Sequence, residues 1–413
     1  MLKAHRKSII DILGRGPIHP FPARMAPGIA LEALGEENSG LHVLDPMSGS
    51  GTVLAVARAR GHRAYGIDLD PLAVLLAGVW TRAINPHEVR EKAEEVLNGA
   101  KAKFNEISTA AAYPDRSNEQ TRDFIRYWFD AYARRQLTAL ACAIGRVQNE
   151  VARDALWCGF SRLIVTKQAG ASLAMDLSHS RPHKWFDRAP IKPFNKFISA
   201  VDIVVSNCPK SGSNAIGPPA NVRLGDARKL DLKDGSIDLV LTSPPYLNAI
   251  DYMRCSKFSL VWMGYNIEEL QSIRSNSVGA ELALDEAIDT DWVKLLIKQL
   301  RLAPRLSDRN YAMLARYVWD MQKALEEVTR VLRRGGRAVY VIGDSMTRGT
   351  FIRNSSIVKA VAERCGLELL SKHSRSLPAN RRYLPPPAKR REQRDQIGTR
   401  LRQEIIVTFG KAS

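Results

Sequence analysis

The chain has 413 residues, of which 45% are hydrophobic and 25% charged, and this ordinary globular composition excludes wholesale disorder and collagen-like repetition. Its 61 lysines and arginines against 43 aspartates and glutamates give a net charge of +18, which favours a polyanionic partner. No run of roughly 18 or more apolar residues occurs, so no membrane-spanning helix is expected. The basic N-terminus lacks a long apolar run and a cleavage site, so no signal peptide is predicted.

The five cysteines are not arranged as a metal site or a disulfide framework. No two of them have CxxC spacing, and no Cys/His cluster has zinc-ligand spacing. His179 and His183 are four residues apart, but Pro182 interrupts any helix between them. We therefore expect free thiols in a reducing cytoplasm and no bound metal.

The first clear element pattern is strand, loop, helix and strand. A strand over His42–Leu44 ends at Asp45, and a Gly/Ser loop leads into an amphipathic helix over Thr52–Arg60. A second strand over Ala64–Ile67 ends at Asp68. This order predicts a parallel, doubly wound α/β sheet.

The middle of the chain has a different pattern. Glu88–Phe104 and Arg122–Arg146 have helical spacing and many charges, whereas Ser178–Phe186 is basic, aromatic and interrupted by proline. We predict a mainly helical insertion that is a candidate target-recognition region. The predicted divisions are the first part of the sheet domain at residues 1–80, the insertion at 81–200 and the second part of the sheet domain at 201–413.

The α/β pattern resumes after residue 200. The predicted strands are Asp202–Asn207, a short strand within Asn221–Leu230 ending at Asp226, Ser236–Thr242, Arg337–Ser345 and Glu404–Lys411. The predicted helices are Met313–Leu332 and Ser355–Cys365, with a mixed, mainly helical region at 247–310. The segment from Lys372 to Arg402 contains ten basic and only two acidic residues, which predicts contact with nucleic acid rather than a plain solvated loop.

Three aspartates stand at the ends of successive predicted strands. The loop after Asp45 reads DPMSGSGT, which lacks the Gly-Lys-Ser/Thr ending of a phosphate loop, and the carboxylate of Asp45 suits an ammonium group instead. Asp68 suits ribose hydroxyls, and Asp226 suits an adenine amine. Strand-end capping is the alternative for any single aspartate, but the three together predict S-adenosylmethionine. The predicted cofactor-binding residues are Asp45, Pro46, Ser48, Gly49, Ser50, Gly51, Thr52, Asp68, Asp226 and Ala227.

The segment TSPPY, Thr242–Tyr246, follows a predicted strand. Its two prolines stiffen the turn and remove two N–H donors, so the local backbone presents carbonyl acceptors beside the Ser243 hydroxyl. Tyr246 adds a flat aromatic face. This set suits the exocyclic amine of a nucleobase, and the predicted catalytic residues are Ser243, Pro244, Pro245 and Tyr246.

These motifs resemble those of the amino-methylating DNA methyltransferases, which act on N4 of cytosine or N6 of adenine. DPMSGSGT with GIDLDPLA (Gly66–Ala73) is similar to the family's cofactor motif, and TSPPYLNAIDYMR (Thr242–Arg254) to its catalytic motif. HPFPARMAP (His19–Pro27) is similar to the segment before the cofactor loop, and RVLRRGGRAVYVIGDS (Arg330–Ser345) to a later strand. The resemblance covers most of the chain outside residues 81–200.

The chain also departs from the family's pattern. About 190 residues separate Gly51 from Ser243, with the helical insertion between them, and this separation leaves the target-recognition region open. Met47 stands where the family usually has an aromatic residue, and methionine fills apolar gaps readily.

The resemblance implies a Rossmann-like class I S-adenosylmethionine-dependent methyltransferase fold with a helical insertion. It further implies in-line methyl transfer to an amine of a flipped-out base in double-stranded DNA, without a metal, and a cognate restriction endonuclease as a candidate partner. The Ser-Pro-Pro-Tyr form is typical of cytosine-N4 enzymes, whereas Asp or Asn in place of the serine is typical of adenine-N6 enzymes. The candidate DNA-contacting residues are Arg181, Lys184, Arg254, Lys257, Arg381 and Arg382.

Three alternatives stay open at this level. The first is methylation of adenine N6 in DNA by the same chemistry. The second is methylation of guanine N2 in RNA, although no RNA-binding domain is evident at the N-terminus. A catalytically silent DNA-binding subunit is a third, which the presence of Asp45, Asp68, Ser243 and Tyr246 disfavours.

Overall fold

The protein is an α/β structure in which parallel strands alternate with helices. The computed structural model describes residues 7–22, 25–35, 40–178, 182–211, 217–247, 252–280, 290–301, 306–347, 350–376 and 403–412. The strands are β1 (His42–Asp45), β2 (Arg63–Asp68), β3 (Asn221–Leu224), β4 (Ile237–Thr242), β5 (Leu332–Gly343), β6 (Ser345–Thr347), β7 (Thr350–Ile352), β8 (Leu367–Ser376) and β9 (Gln403–Lys411). The α-helices are α1 (Ile9–Leu13), α2 (Pro27–Leu34), α3 (Thr52–Ala59), α4 (Pro71–Thr81), α5 (Pro86–Lys103), α6 (Glu119–Trp128), α7 (Ala131–Gly145), α8 (Glu150–Ile164), α9 (Pro193–Asn207), α10 (Met253–Leu260), α11 (Ile267–Asn276), α12 (Thr290–Gln299), α13 (Asp308–Val331) and α14 (Asn354–Arg364).

The main sheet has seven strands in the order β3-β2-β1-β4-β5-β9-β8, and β6 pairs separately with β7. The pairs β2–β3, β1–β4 and β4–β5 are parallel, whereas β9 is antiparallel to both β5 and β8. A mostly parallel, wound sheet with this alternation of strands and helices confirms the predicted Rossmann-like class I methyltransferase fold.

The strand order reverses beside β1. The chain runs from β1 outward to β2 and β3, and then returns to place β4 on the other side of β1. In open α/β sheets, ligands bind outside the carboxyl ends of the strands at such a reversal. Val43 pairs with Leu239 and Leu44 with Val240, so both strands end at the same edge of the sheet, β1 at Asp45 and β4 at Thr242.

The chain divides into two compact units. The first consists of Met1–Gly40, Ser48–Leu224 and Asp251–Arg274, and the second of Leu41–Met47, Gly225–Ile250 and Ser275–Ser413. The largest fully buried side chains of the first unit include Trp80, Phe129, Phe160, Phe197, Phe258 and Trp262. Those of the second unit include Tyr317, Tyr340 and Phe409.

Several helix starts follow from local sequence. Asp70 caps α4 through its side chain, with Pro71 at the first helical position, and Asn85 caps α5 in the same way, with Pro86 following. The predicted helices in 88–104, 122–146, 313–332 and 355–365 are confirmed with shifts of a few residues, the second of them divided into α6 and α7.

One predicted strand is wrong. Asp202–Asn207 is the last part of helix α9 and not a strand. Its run of β-branched residues resembles a strand over a short window, but Phe194, Phe197, Val201 and Val204 recur at helical spacing, and all four are buried. The contacts of this face of the helix therefore override the local β propensity. β8 was not predicted, because Leu367–Ser376 is mostly exposed and carries no alternation of apolar and polar residues.

Candidate active site

The carboxyl ends of β1 and β4 are joined by a buried hydrogen bond. Thr242 Oγ1 donates to Asp45 Oδ1 over 2.7 Å, and both side chains are buried. The backbone N–H of Met47 donates to the same carboxylate oxygen over 3.2 Å. The aspartate that begins the predicted cofactor motif is therefore bonded to the residue that directly precedes Ser243.

The segment Ser243–Tyr246 leaves the end of β4. Ser243 and Tyr246 are half-buried, Pro244 is buried, and the Ser243 and Tyr246 hydroxyls lie 3.5 Å apart. The ring of Tyr246 packs on Gly343, the last residue of β5, where a β-carbon would lie 2.5 Å from Cε2 of the tyrosine. Glycine at position 343 therefore makes room for the aromatic ring that the sequence predicts to contact the base.

A group of polar side chains that the sequence did not indicate holds the end of β5 beside this segment. Ser345 Oγ donates to the carbonyl of Leu247 over 2.8 Å. Asn354, which is fully buried, donates to the carbonyl of Gly343 over 2.9 Å and to Ser345 Oγ over 3.0 Å. Its place at the start of a helix gave no functional signal in the sequence, because asparagine is common at helix starts.

The predicted cofactor loop, Ser48–Gly51, is tied to the end of β2. The N–H of Ser48 donates to the carbonyl of Ile67 over 2.9 Å, and the N–H of Gly49 donates to Asp68 Oδ2 over 2.8 Å. Gly49 and Gly51 have φ of 49° and 83°, in the left-handed region that favours glycine. Asp68 thus shapes the loop and also presents a half-buried carboxylate at the strand end.

The loop also holds two buried hydroxyls, those of Ser48 and Ser50. Neither Oγ has a hydrogen-bond partner within the described part of the chain. A buried hydroxyl without a partner loses hydrogen-bond free energy, which a polar ligand can restore. Thr52 and Pro46, two further predicted cofactor residues, are buried at the start of α3 and after β1.

Asp68 and Asp70 have different surroundings. Burial raises the pKa of the Asp68 carboxyl, and the N–H groups of Asp70 and Gly49 oppose this by donating to its two oxygens. Burial also raises the pKa of Asp70, to about 7, and the charge of Asp68 adds to this rise. Asp70 accepts hydrogen bonds from the N–H of Leu72 and from the Ser256 hydroxyl, so it caps α4 and links it to α10.

Asp226 lies in a network of charged side chains that sequence reasoning missed. Both of its carboxylate oxygens accept hydrogen bonds from Arg228, the shortest at 2.7 Å. Arg228 also contacts the fully buried Asp320 of α13 at 2.5 Å, and the buried Arg316 approaches the same carboxylate at 3.5 Å. The role of Asp226 toward adenine, next to the buried Ala227, stays a prediction.

The predicted DNA-contacting residues have different positions. The Lys184 ammonium lies 5.6 Å from the centre of the Tyr127 ring, and the Lys257 ammonium lies 5.2 Å from that of Phe124. Arg254 is half-buried in α10. The other three predicted residues, Arg181, Arg381 and Arg382, lie outside the described residues.

The segment His19–Pro27, which resembles the family's segment before the cofactor loop, packs within the first unit. His19 Nε2 lies 3.0 Å from Ser161 Oγ, which in turn lies 2.8 Å from Ser259 Oγ. The ring of Phe21 is parallel to that of Tyr252, with centres 6.0 Å apart. A β-carbon on Gly49 would lie 3.9 Å from the Phe21 ring, so this segment borders the cofactor loop.

Within the described residues, no three His, Cys, Asp or Glu side chains are grouped as they would be to hold a metal ion. The described helices also include none with the length and apolar content that crossing a membrane requires.

Comparison with known proteins shows similarity to methyltransferases. No family model matches the chain. The chain is 20% identical over 392 residues to the type II methyltransferase M.MvaI of Kocuria varians, covering 88% of this chain and 84% of the relative. It is 22% identical over 368 residues to the type II methyltransferase M.AvaI of Nostoc sp., and this match covers 81% of this chain and 74% of that relative. The solved structure of an S-adenosylmethionine-dependent methyltransferase of Methanosarcina mazei is 9% identical, and the match covers 93% of this chain and 97% of that chain. Because its TM-score is only 0.33, the fold assignment rests on the strand order.

Proposed function

We propose that this protein is an S-adenosylmethionine-dependent DNA methyltransferase that methylates the exocyclic N4 amine of cytosine. The observation that carries the proposal is the hydrogen bond between Asp45 and Thr242. It joins the first residue of the predicted cofactor motif to the start of Ser-Pro-Pro-Tyr, at the strand-order reversal where ligands bind. Similarity to type II methyltransferases over most of the chain supports the methyltransferase part of the proposal.

The residues of the cofactor loop fit S-adenosylmethionine. The buried hydroxyls of Ser48 and Ser50 have no partner within the described residues and would bond a polar ligand. The two oxygens of Asp68 accept backbone N–H groups, among them those of Gly49 and Asp70, and a carboxylate has about four acceptor positions, so capacity for ribose hydroxyls is left. Asp45 supplies a negative charge for the ammonium group. The bound cofactor would supply an electrophilic methyl group on a sulfonium.

The base would be held by the Ser-Pro-Pro-Tyr segment. Ser243 Oγ and the Pro244 carbonyl would accept the two N–H groups of the amine and draw its lone pair out of conjugation with the ring. The face of Tyr246 would stack on the base, which must leave the duplex because a paired amine cannot reach the site. Most of the rate enhancement would come from this positioning.

Ser243 favours cytosine over adenine, since the Ser-Pro-Pro-Tyr form is typical of enzymes that methylate N4. We extend the proposal to double-stranded DNA as substrate, a cognate restriction endonuclease as partner and a cytoplasmic location. We propose that part of the helical region at 81–200 recognises the target.

Identifying the product tests the proposal directly. Purified protein is incubated with labelled S-adenosylmethionine and mixed genomic DNA, and in a parallel reaction with transfer and ribosomal RNA. Each nucleic acid is then digested to nucleosides for mass spectrometry. N4-methylcytosine is the expected product, with Ser243→Ala as the inactive control. N6-methyladenine would overturn the choice of base but keep the chemistry. Label only in transfer or ribosomal RNA would overturn DNA as the substrate, and label in neither would overturn the methyltransferase proposal.

A further inference from the structure

One face of α6 brings together aromatic and basic side chains from three separate parts of the sequence. Phe124, Tyr127 and Trp128 lie three and four residues apart, so they share one side of the helix. Lys184 lies over Tyr127 and Lys257 lies over Phe124, although these lysines are 73 residues apart in sequence. We call these five residues the α6 face, and the side chain that follows Lys184 in the chain is Trp185.

Tyr127 on the α6 face and the nearby Trp185 in the chain segment of Lys184 are unusually exposed for aromatic residues. Trp185 is 63% exposed and Tyr127 is 56% exposed. Large aromatic rings normally bury most of their area, and an exposed pair beside lysines is characteristic of contact surfaces. The His183 ring packs edge-on against Trp185, with centres 5.6 Å apart.

The exposed rings are held on a rigid support. The carbonyl of Trp128 accepts the N–H of Leu173 over 2.8 Å, and the carbonyl of Leu173 accepts the N–H of Trp185 over 2.8 Å. Asp130 Oδ2 accepts the N–H of Ala189 over 2.6 Å, which fixes the same loop at a second point. The backbone of Trp185 is therefore linked to the end of α6 through Leu173.

The inner part of the face is anchored in the hydrophobic core. The fully buried ring of Phe258 lies 5.1 Å from that of Phe124 and 5.0 Å from that of Trp128, both edge-on. Phe258 directly follows Lys257 in α10, and Lys257 itself follows Ser243 by 14 residues. One short helix therefore carries both the buried support and one of the two lysines.

We propose that the α6 face binds the DNA substrate, with Lys184 and Lys257 on phosphates and the rings of Tyr127 and Trp185 stacked on exposed bases or sugars. This inference rests on the proposed function for the identity of its partner. The net charge of +18 favours a polyanion. Stacking on aromatic rings is tolerant of sequence, because every base has a flat face. The face would therefore add affinity at positions where an opened duplex exposes its bases.

Binding of a fluorescent DNA duplex carrying one mismatched cytosine tests this directly, with no cofactor present. Trp185→Ala and Tyr127→Ala should each weaken binding by about tenfold. Lys184→Gln should weaken binding roughly five- to tenfold at about 0.1 M salt and reduce the slope of log Kd against log salt by about one. The aromatic variants should leave that slope unchanged, because they remove no charge.

Tyr132 and Lys192 provide a matched control. Tyr132 is 48% exposed and Lys192 lies 5.9 Å from its ring centre, but Tyr132 belongs to α7 and packs against Phe104. Tyr132→Ala and Lys192→Gln should leave the duplex Kd unchanged. If these two variants lost as much duplex affinity as the Trp185, Tyr127 and Lys184 variants, the proposal would be overturned. Removing any exposed ring or positive charge would then weaken DNA binding equally.

Unchanged duplex affinity in Trp185→Ala, Tyr127→Ala and Lys184→Gln would also overturn the inference, even if the protein methylates DNA. Failure to form any methylated DNA nucleoside would overturn the proposed function instead, because the binding titration does not depend on turnover. Thermal unfolding of each variant checks the fold, which exposed positions should leave intact.

Discussion

Gly343→Ala tests whether the position of the Tyr246 ring matters for the reaction. The new β-carbon would lie 2.5 Å from Cε2 and 3.0 Å from both Cδ2 and Cζ of that ring. Carbon atoms in ordinary contact are about 3.5–4.0 Å apart, so the ring has to move by roughly 1 Å. A displacement of this size at a substrate-positioning group can lower turnover by about 100-fold. The crowding should also cost about 1–3 kcal/mol of stability.

The assay is methyl transfer to DNA under single-turnover conditions, together with titration of S-adenosylmethionine. We expect the rate of transfer to fall and the cofactor Kd to stay unchanged, because the three atoms nearest the new β-carbon all belong to the Tyr246 ring and none to a predicted cofactor residue. Gly99→Ala is the control, since a β-carbon there meets nothing within 4 Å, and alanine in the middle of α5 should leave activity unchanged.

A double variant makes the test specific to the ring. Once Tyr246 is alanine, Gly343→Ala should reduce transfer no further, because the atoms it would displace are gone. A normal transfer rate in Gly343→Ala would refute the reasoning that the ring must stay in place. An additional loss in the double variant would show that Gly343 acts through some other contact.

Three further predictions concern single side chains. Asp68→Ala should weaken S-adenosylmethionine binding by about 1–3 kcal/mol, and an unchanged Kd in calorimetry would remove Asp68 from the cofactor site. Because burial raises the pKa of Asp70 to about 7, the folded state keeps a proton that the unfolded state releases near pH 4, so the free energy of unfolding should fall as pH rises from about 4 to 7. Asp70→Asn should flatten that part of the urea-unfolding pH profile, whereas an identical profile would contradict the assignment. Asp320→Ala removes the carboxylate shared by the buried Arg316 and the partly buried Arg228 and should destabilise the protein by about 3–5 kcal/mol. By contrast, the exposed pair of Lys323 with Glu326 should contribute less than about 1 kcal/mol to the same measurement.

Elements were predicted correctly where the signal for them lies within a few neighbouring residues. The glycines after Asp45 permit the left-handed backbone angles of a tight turn, and the prolines after Ser243 fix φ, so both turns were visible in the sequence. The strand predicted at 202–207 was wrong, because its three consecutive β-branched residues fit either a helical or a strand period, and only a longer window reveals helix α9. β8 escaped prediction because its pairing with β9 spans a long stretch of chain and its side chains are mostly exposed.

The α/β class, the two motif turns and the excess of positive charge follow from residue types close together in the chain, so they can be deduced without coordinates. Which distant groups meet follows only from the packing of the whole chain. The hydrogen bond from Thr242 to Asp45 joins residues 197 apart, and the contact of Arg228 with Asp320 joins residues 92 apart. No local rule specifies such partners, because burial and strand register select them only when the whole chain has packed.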